Sequence, residues 1–148
     1  MYVTLAHRGR LLELASRHDD TRLWADGSTP GAGSVFDRVD LDHGRVAFRT
    51  LDGRYLSCRP DQGHNYGIYA VEDLGPREVF EEILWPDGRI SLRSCDLTFV
   101  SAETGPRERV VVNRTEAGDT ERFSYGTAPA ALVPAQTRRH ATVPADAQ

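Results

Sequence analysis

This sequence predicts an all-β fold of three repeats with four strands in each, and three observations carry the prediction. Phe36, Phe80 and Phe123 stand 44 and 43 residues apart, and each closes a similar stretch of sequence. Within each stretch apolar residues alternate with polar ones at period two, the spacing of a half-buried strand. Between the alternating runs lie dipeptides such as Asp52-Gly53 and Asp87-Gly88, suited to the positive φ angles of tight turns. A fixed period of this length marks a repeat architecture. The chain therefore divides at about residues 1–44, 45–88 and 89–126.

The second repeat shows the elements most clearly. Val46 and Phe48 alternate with Ala47 and Arg49 in its first strand. Asp52-Gly53 turns the chain, and Tyr55-Leu56 opens the returning strand. A polar loop from Pro60 leads to a short third strand, Ile68–Ala70. The fourth strand is entered through Glu78-Val79-Phe80. Asp87-Gly88 then leads into repeat three, where Ile90 and Leu92 alternate with Ser91 and Arg93 and the third strand is Val110–Val112. In repeat one the matching third strand is Leu23–Ala25. No stretch carries helix caps or a sustained 3.6-residue period. Twelve short strands in three repeats close most simply into a six-stranded barrel capped by three hairpins, the β-trefoil. Closure also removes the sheet edges that would invite aggregation.

The wording of the repeats is narrower than their count. Repeat two has Gly53, Tyr55, Leu56, Ser57, Glu78 and Phe80; repeat three has Phe99, Val100, Ser101, Ala102, Glu121 and Phe123. Repeat one keeps Gly9, Leu11, Leu12 and Phe36 but has no Glu before the Phe. This pattern resembles the fascin-like repeat of actin-crosslinking β-trefoils over residues 2–126. The resemblance implies a β-trefoil and, as function, binding or crosslinking of actin filaments. The Gln-x-Trp signature of ricin-type lectins is absent from all three repeats. The matched aromatics Phe36, Phe80, Phe123, Tyr55 and Phe99 are expected to be core residues, and Trp85 a residue of the core rim. One departure affects the backbone: Leu97 stands where Gly53 does. A branched residue resists positive φ, so this hairpin is expected to turn differently, at Asp96.

Composition bounds the rest. The 148 residues suit one domain, with net charge −4 and Arg as the sole basic residue besides His. An acidic chain with interspersed charge argues against nucleic acid and anionic membranes as partners. No apolar run is long enough to span a bilayer. The repeats begin almost at Met1 with no leader ahead of them, so a cytoplasmic location is expected. Cys58 and Cys95 fall at non-equivalent places beside Arg59 and Asp96 and are expected to be free thiols. Neither CxxC nor HxxxH spacing nor a regular calcium loop occurs, so neither metal nor cofactor is expected. Residues 127–148 are rich in Ala and Pro and lack aromatics, which predicts a disordered tail.

Catalytic constellations are missing too. There is no GxSxG, no phosphate-binding loop and no HExxH. His7, His18, His43, His64 and His140 are scattered over predicted turns, loops and the tail, where exposure is expected. Glu81 and Glu82 are adjacent on a strand, point to opposite faces and cannot serve one site. The chain is therefore read as a non-catalytic binding module, not an enzyme. Trp24 and Tyr69 occupy matching positions between inward residues and are expected to point outward, with Val111 as the counterpart in repeat three. Outward aromatics on a β surface suit a sugar ring or a protein partner. Tyr66 with Asp61, Gln62 and Asn65 on the adjoining loop would add hydrogen-bonding groups, alongside His64. The expected ligand is a protein or a carbohydrate, and the expected state is a monomer. Crosslinking filaments needs two binding surfaces per particle, and an acidic surface gains no steering toward an acidic filament.

Overall fold

The alternating runs are strands. Repeat one supplies β1 (Tyr2–His7), β2 (Arg10–Arg17), β3 (Asp20–Gly27) and β4 (Phe36–Asp40). Repeat two supplies β5 (Arg45–Thr50), β6 (Tyr55–Pro60), β7 (Tyr66–Val71) and β8 (Phe80–Leu84). Repeat three supplies β9 (Ile90–Arg93), β10 (Phe99–Ala102), β11 (Val110–Arg114) and β12 (Ser124–Thr127). The structure is a computed structural model that describes residues 1–17, 20–60, 66–103 and 109–134, with the backbone alone for Pro60 and Tyr66.

The first and fourth strands of the repeats form a closed ring. Val3 of β1 pairs with Phe36 of β4, and Phe36 with Thr50 of β5. Val46 of β5 pairs with Phe80 of β8, and Leu84 of β8 with Ile90 of β9. Ile90 bridges to Phe123, and β12 returns to β1 through Val3 and Thr127. The second and third strands form the hairpins β2–β3, β6–β7 and β10–β11. These hairpins touch one another, Val111 opposite Gly67 and Trp24 opposite Arg109. The same order of pairings thus recurs in each repeat of the sequence.

The core fills the ring and the underside of the hairpins. Phe36, Phe80 and Phe123 are buried, together with Leu5, Phe48, Val46, Ile90 and Leu92 from the barrel strands. Leu12, Leu23, Leu56, Ile68, Val100 and Val110 close it from the hairpins. Phe99 is buried as expected, while Tyr55 is half-buried at the edge. Trp85 is half-buried, its indole N–H donating to Ser91 Oγ at 2.8 Å.

The Glu of the Glu-x-Phe pattern holds each of two repeats closed. Glu78 is buried; it accepts from Ser57 Oγ at 2.5 Å and from the Gly75 N–H at 2.6 Å. Glu121 repeats this with Ser101 Oγ and the Gly118 N–H, each at 2.7 Å. Burial pushes the Glu121 carboxyl up, but hydrogen bonds from Thr120, Ser101 and Gly118 outweigh it and hold the group below the usual value. In repeat one the two residue types change places. Ser34 stands at the Glu position and accepts from the Gly31 N–H at 2.9 Å, while Glu13 stands at the position of Ser57.

Four sequence expectations need correction. Leu97 does adopt positive φ, +65°, and its hairpin is built like that of Gly53 at +90°. In both, the residue's N–H donates to the carbonyl three back, Ser94 or Thr50, and a ladder bond closes the turn. The pairing of the flanking strands sets the turn, and Leu97 accepts the strain with its side chain in solvent. His7 is not an exposed turn residue but the end of β1, 6% exposed, with Nδ1 bonded to the Arg122 carbonyl at 3.1 Å. Thr127 is not tail but the last residue of β12, opposite Val3; Ala128 is buried, and Ala130–Leu132 form a 3₁₀ turn. The expectation for residues 135–148 lies outside the described residues. The fourth correction, to the exposure of Trp24, belongs to the site.

Candidate ligand-binding clefts

The aromatic pair chosen from sequence lies at the meeting point of the hairpins. Leu23 and Ile68 point into the core as expected, so Trp24 and Tyr69 point to the opposite face. That face is not open. Trp24 is 1% exposed, and its indole N–H donates to the Ala15 carbonyl at 2.8 Å. Tyr69 is half-buried, and Val111 is buried. The physical reason is that β3, β7 and β11 abut, so each covers the outer face of its neighbour. Arg22 sits among them at 0% exposure, its guanidinium 5.9 Å from the Trp24 ring and 5.4 Å from that of Tyr69. It donates to the Val110 carbonyl at 3.2 Å and to Asp20 at 3.3 Å. Gly67, at the position matching Arg22, leaves the space; any Cβ there would strike the guanidinium. Trp24 is therefore a packing residue. Asp61, Gln62 and Asn65 lie outside the described residues, as do His18, His64 and His140 and the side chain of Tyr66.

The far end of the barrel axis is closed by a second cluster. Arg38, Glu82 and Tyr125 each lie two residues after a repeat-closing Phe. Arg38 grips Glu82 with Nε at 3.0 Å and Nη2 at 2.6 Å, and the Tyr125 hydroxyl donates to Glu82 at 2.5 Å. Burial pushes the Glu82 carboxyl up, but the bonds from Arg38 and Tyr125 win and hold it below the usual value. Burial and Glu82 push the Tyr125 hydroxyl up. Glu81 points the other way and pairs with Arg93, as the strand geometry required.

Among the described residues two clefts lie between repeats. At the junction of repeats one and two a cleft of about 240 Å³ opens beside Ala32 and Gly33. Its floor is Leu14, Phe36 and Leu51, and its rim carries Thr50, Asp52 and Arg54. The Asp52 carboxyl accepts from the Thr50 hydroxyl and from Arg54, which together hold it below the usual carboxylate range. Gly33 comes so close to β2 that an added Cβ would lie 2.5 Å from the Leu14 carbonyl oxygen.

The other two junctions differ at the matching positions. Between repeats two and three, Arg77 replaces Gly33 and reaches across to Asp96 at 3.0 Å and to the Cys58 carbonyl at 3.3 Å. A groove of about 390 Å³ lies beside this bridge. Pro76 and Val79 form its apolar wall, and His43, Arg45, Glu81 and Arg93 supply charge. Ser94 and Cys95 complete it. Between repeats three and one, Asp119 replaces Ala32 and is held by Arg8 at 2.7 Å and Arg89 at 2.9 Å.

Both cysteines are free thiols, Cys58 buried and Cys95 exposed. Burial pushes the Cys58 thiol up to about 11. Among the described residues no group of three or more His, Cys, Asp or Glu is placed to hold a metal ion. No helix among them is long and apolar enough to cross a membrane.

No protein-family model matches the chain, and no curated protein matches it in sequence. Solved structures match it in shape. A designed threefold-symmetric protein, ThreeFoil, superposes with a TM-score of 0.73 at 17% identity, covering 85% of this chain and 98% of that one. The Rhizoctonia solani agglutinin gives 0.67 at 12% identity, covering 84% and 93%. The Polyporus squamosus lectin, solved with the human-type influenza-binding epitope Neu5Acα2-6Galβ1-4GlcNAc, gives 0.70 at 13% identity, covering 84% and 48%. The fold is thus the β-trefoil. At these identities the likeness is one of fold and does not reach the fascin-type family.

Proposed function

We propose that the chain is a non-catalytic binding module that takes a carbohydrate in the clefts between its repeats, acting as a cytoplasmic monomer without metal or cofactor. One observation carries this reading: at the junction of repeats one and two, Ala32-Gly33 stand where Pro76-Arg77 and Asp119-Thr120 stand elsewhere, and the cleft stays open. Binding sites for small ligands combine an apolar surface with a few fixed polar groups. Leu14, Phe36 and Leu51 offer the C–H faces of a sugar ring an apolar floor. Thr50, Asp52 and Arg54 offer its hydroxyls an acceptor and donors held in place by mutual hydrogen bonds. The volume suits one ring, so affinity rests on further contacts along a longer glycan. The agglutinin and the lectin among the structural neighbours are consistent with this use of the fold.

The test is a glycan array followed by calorimetry on the wild type and on Ala32→Trp. Ala32 is exposed at the cleft mouth, so the bulky ring fills the site without entering the core. Loss of glycan binding with an unchanged melting temperature supports the reading; binding that survives in Ala32→Trp removes the cleft from it. Actin co-sedimentation, run beside it, separates this from the filament binding that the fascin-type resemblance implies.

A further inference from the structure

The groove between repeats two and three differs from the open cleft in charge. Its base is a row of three side chains on three neighbouring strands. Arg45 of β5 is directly opposite Glu81 of β8, and Glu81 is opposite Arg93 of β9. The matching row at the first junction reads Tyr2, Asp37 and Arg49, with one fewer positive charge. Arg93 is committed to Glu81 through two donors to the same carboxylate oxygen. Arg45 is exposed and holds the Asp42 carbonyl through Nε at 2.9 Å, which leaves its two terminal nitrogens on the solvent side. His43, exposed in the β4–β5 turn, stands beside it. Asp96 is drawn off by Arg77. The groove therefore holds two guanidinium groups and an imidazole against one carboxylate.

We propose that this groove is a second site, specific for a carboxylate-bearing sugar of the uronic or sialic acid class. The inference rests on the carbohydrate reading above and names the ligand chemistry. The planar fork of Arg45 matches a carboxylate in a bidentate pair, a geometry that neutral sugars cannot use. Pro76 and Val79 form the wall for the ring. The Glu81 oxygen not held by Arg93 accepts from a ring hydroxyl. A groove of about 390 Å³ accommodates a ring with its acid substituent, where the 240 Å³ cleft suits a single neutral ring. The requirement for hydroxyl contacts beside the anion contact is what separates this site from a bare anion site.

Cys95 lines the groove and is exposed, while Cys58 is buried, so alkylation of the native protein reports occupancy. The probes are methyl glucuronide, methyl glucoside and sodium acetate, each titrated while iodoacetamide labelling of Cys95 and backbone amide shifts are followed. Methyl glucuronide should slow labelling and shift the amides of Arg45, Ser94 and Cys95. Arg45→Gln, a change at an exposed residue, should weaken this about tenfold or more, the loss expected for a charge-assisted pair. Raising salt should weaken it as well. Equal protection by methyl glucoside, equal protection by acetate, or an unaltered response in Arg45→Gln would each overturn the proposal. If glucoside shifts Leu51 and Asp52 while glucuronide leaves Cys95 untouched, the acid site is lost and the carbohydrate reading survives. If neither sugar moves any amide, that reading falls and this proposal with it.

Discussion

Leu97→Gly should stabilise the protein. Leu97 sits at φ +65° with its side chain 65% exposed, in the turn that repeat two makes with Gly53 at +90°. A left-handed conformation costs a non-glycine residue roughly 1–2 kcal/mol. Glycine removes that cost but lends the unfolded chain extra freedom worth roughly 0.5–1 kcal/mol. The side chain gives up little packing because it is mostly in water. The net gain is about 0.5–1 kcal/mol. For a chain of this size that corresponds to roughly 1–4 °C in melting temperature. The reciprocal change, Gly53→Leu, should lose a similar amount; an added Cβ there meets Arg49 Nη2 at 3.7 Å, an ordinary contact, so strain dominates. Urea unfolding with fitted m-values is the assay, and an unchanged m shows that the midpoint shift is a stability change. A Leu97→Gly variant no more stable than wild type, with m unchanged, would refute the argument that sheet pairing imposes a strained turn on repeat three.

Phe80→Ala should cost about 3–5 kcal/mol by lost burial and a residual cavity, with Phe36→Ala and Phe123→Ala costing comparable amounts because all three are buried at matching positions; denaturation midpoints check this. Native thiol labelling should modify Cys95 quickly and Cys58 only on unfolding, since burial holds the Cys58 thiol at about 11. The Glu82 carboxyl lies below its usual value when folded, so its contribution is present above the unfolded value of about 4.3 and is lost as pH falls through the lower folded value. Glu82→Gln should therefore weaken the protein at neutral pH and reduce the slope of stability against pH on the acid side; identical acid limbs would show that Arg38 and Tyr125 do not stabilise the carboxylate.

Much of the fold was legible because it is written in positions that repeat. The spacing of Phe36, Phe80 and Phe123, the alternation through Val46–Arg49 and the Asp-Gly turns each require little context to interpret. Glu78 and Glu121 were visible as part of a pattern, and the structure adds that they hold Ser57 and Ser101. The site was less legible. Alternation says which residues leave the core, but not whether another hairpin covers them, and that is why Trp24 reads as outward and is buried. A signal was present two residues earlier: an Arg on the same face as a Trp, with Gly67 at the matching place in repeat two. The clefts are hard to read from sequence because each draws its lining from two repeats at once, and the first is held open by the small residues Ala32 and Gly33.

The three repeats differ most where they meet on the axis, and the differences are complementary. A residue at such a position faces its own counterparts, so three identical charged groups there would repel one another in a partly buried place. Arg38, Glu82 and Tyr125 resolve this with a cation, an anion and a neutral hydroxyl that satisfy each other. At the hairpin end one large cation, Arg22, occupies the centre, and Gly67 yields the space. The same logic separates the junctions between repeats. Arg77 with Asp96 and Arg8 with Asp119 bridge two of them, while among the described residues Ala32-Gly33 place no such charged pair at the third. Packing on the axis forces the repeats to diverge in a coordinated way, because a change in one must be answered in the other two. The junctions lie off the axis and carry no such constraint, so each is free to open, close or change charge alone. A module with one neutral cleft, one cationic groove and one junction bridged by Arg8 and Asp119 follows from that freedom, and ligand recognition is expected at the junctions.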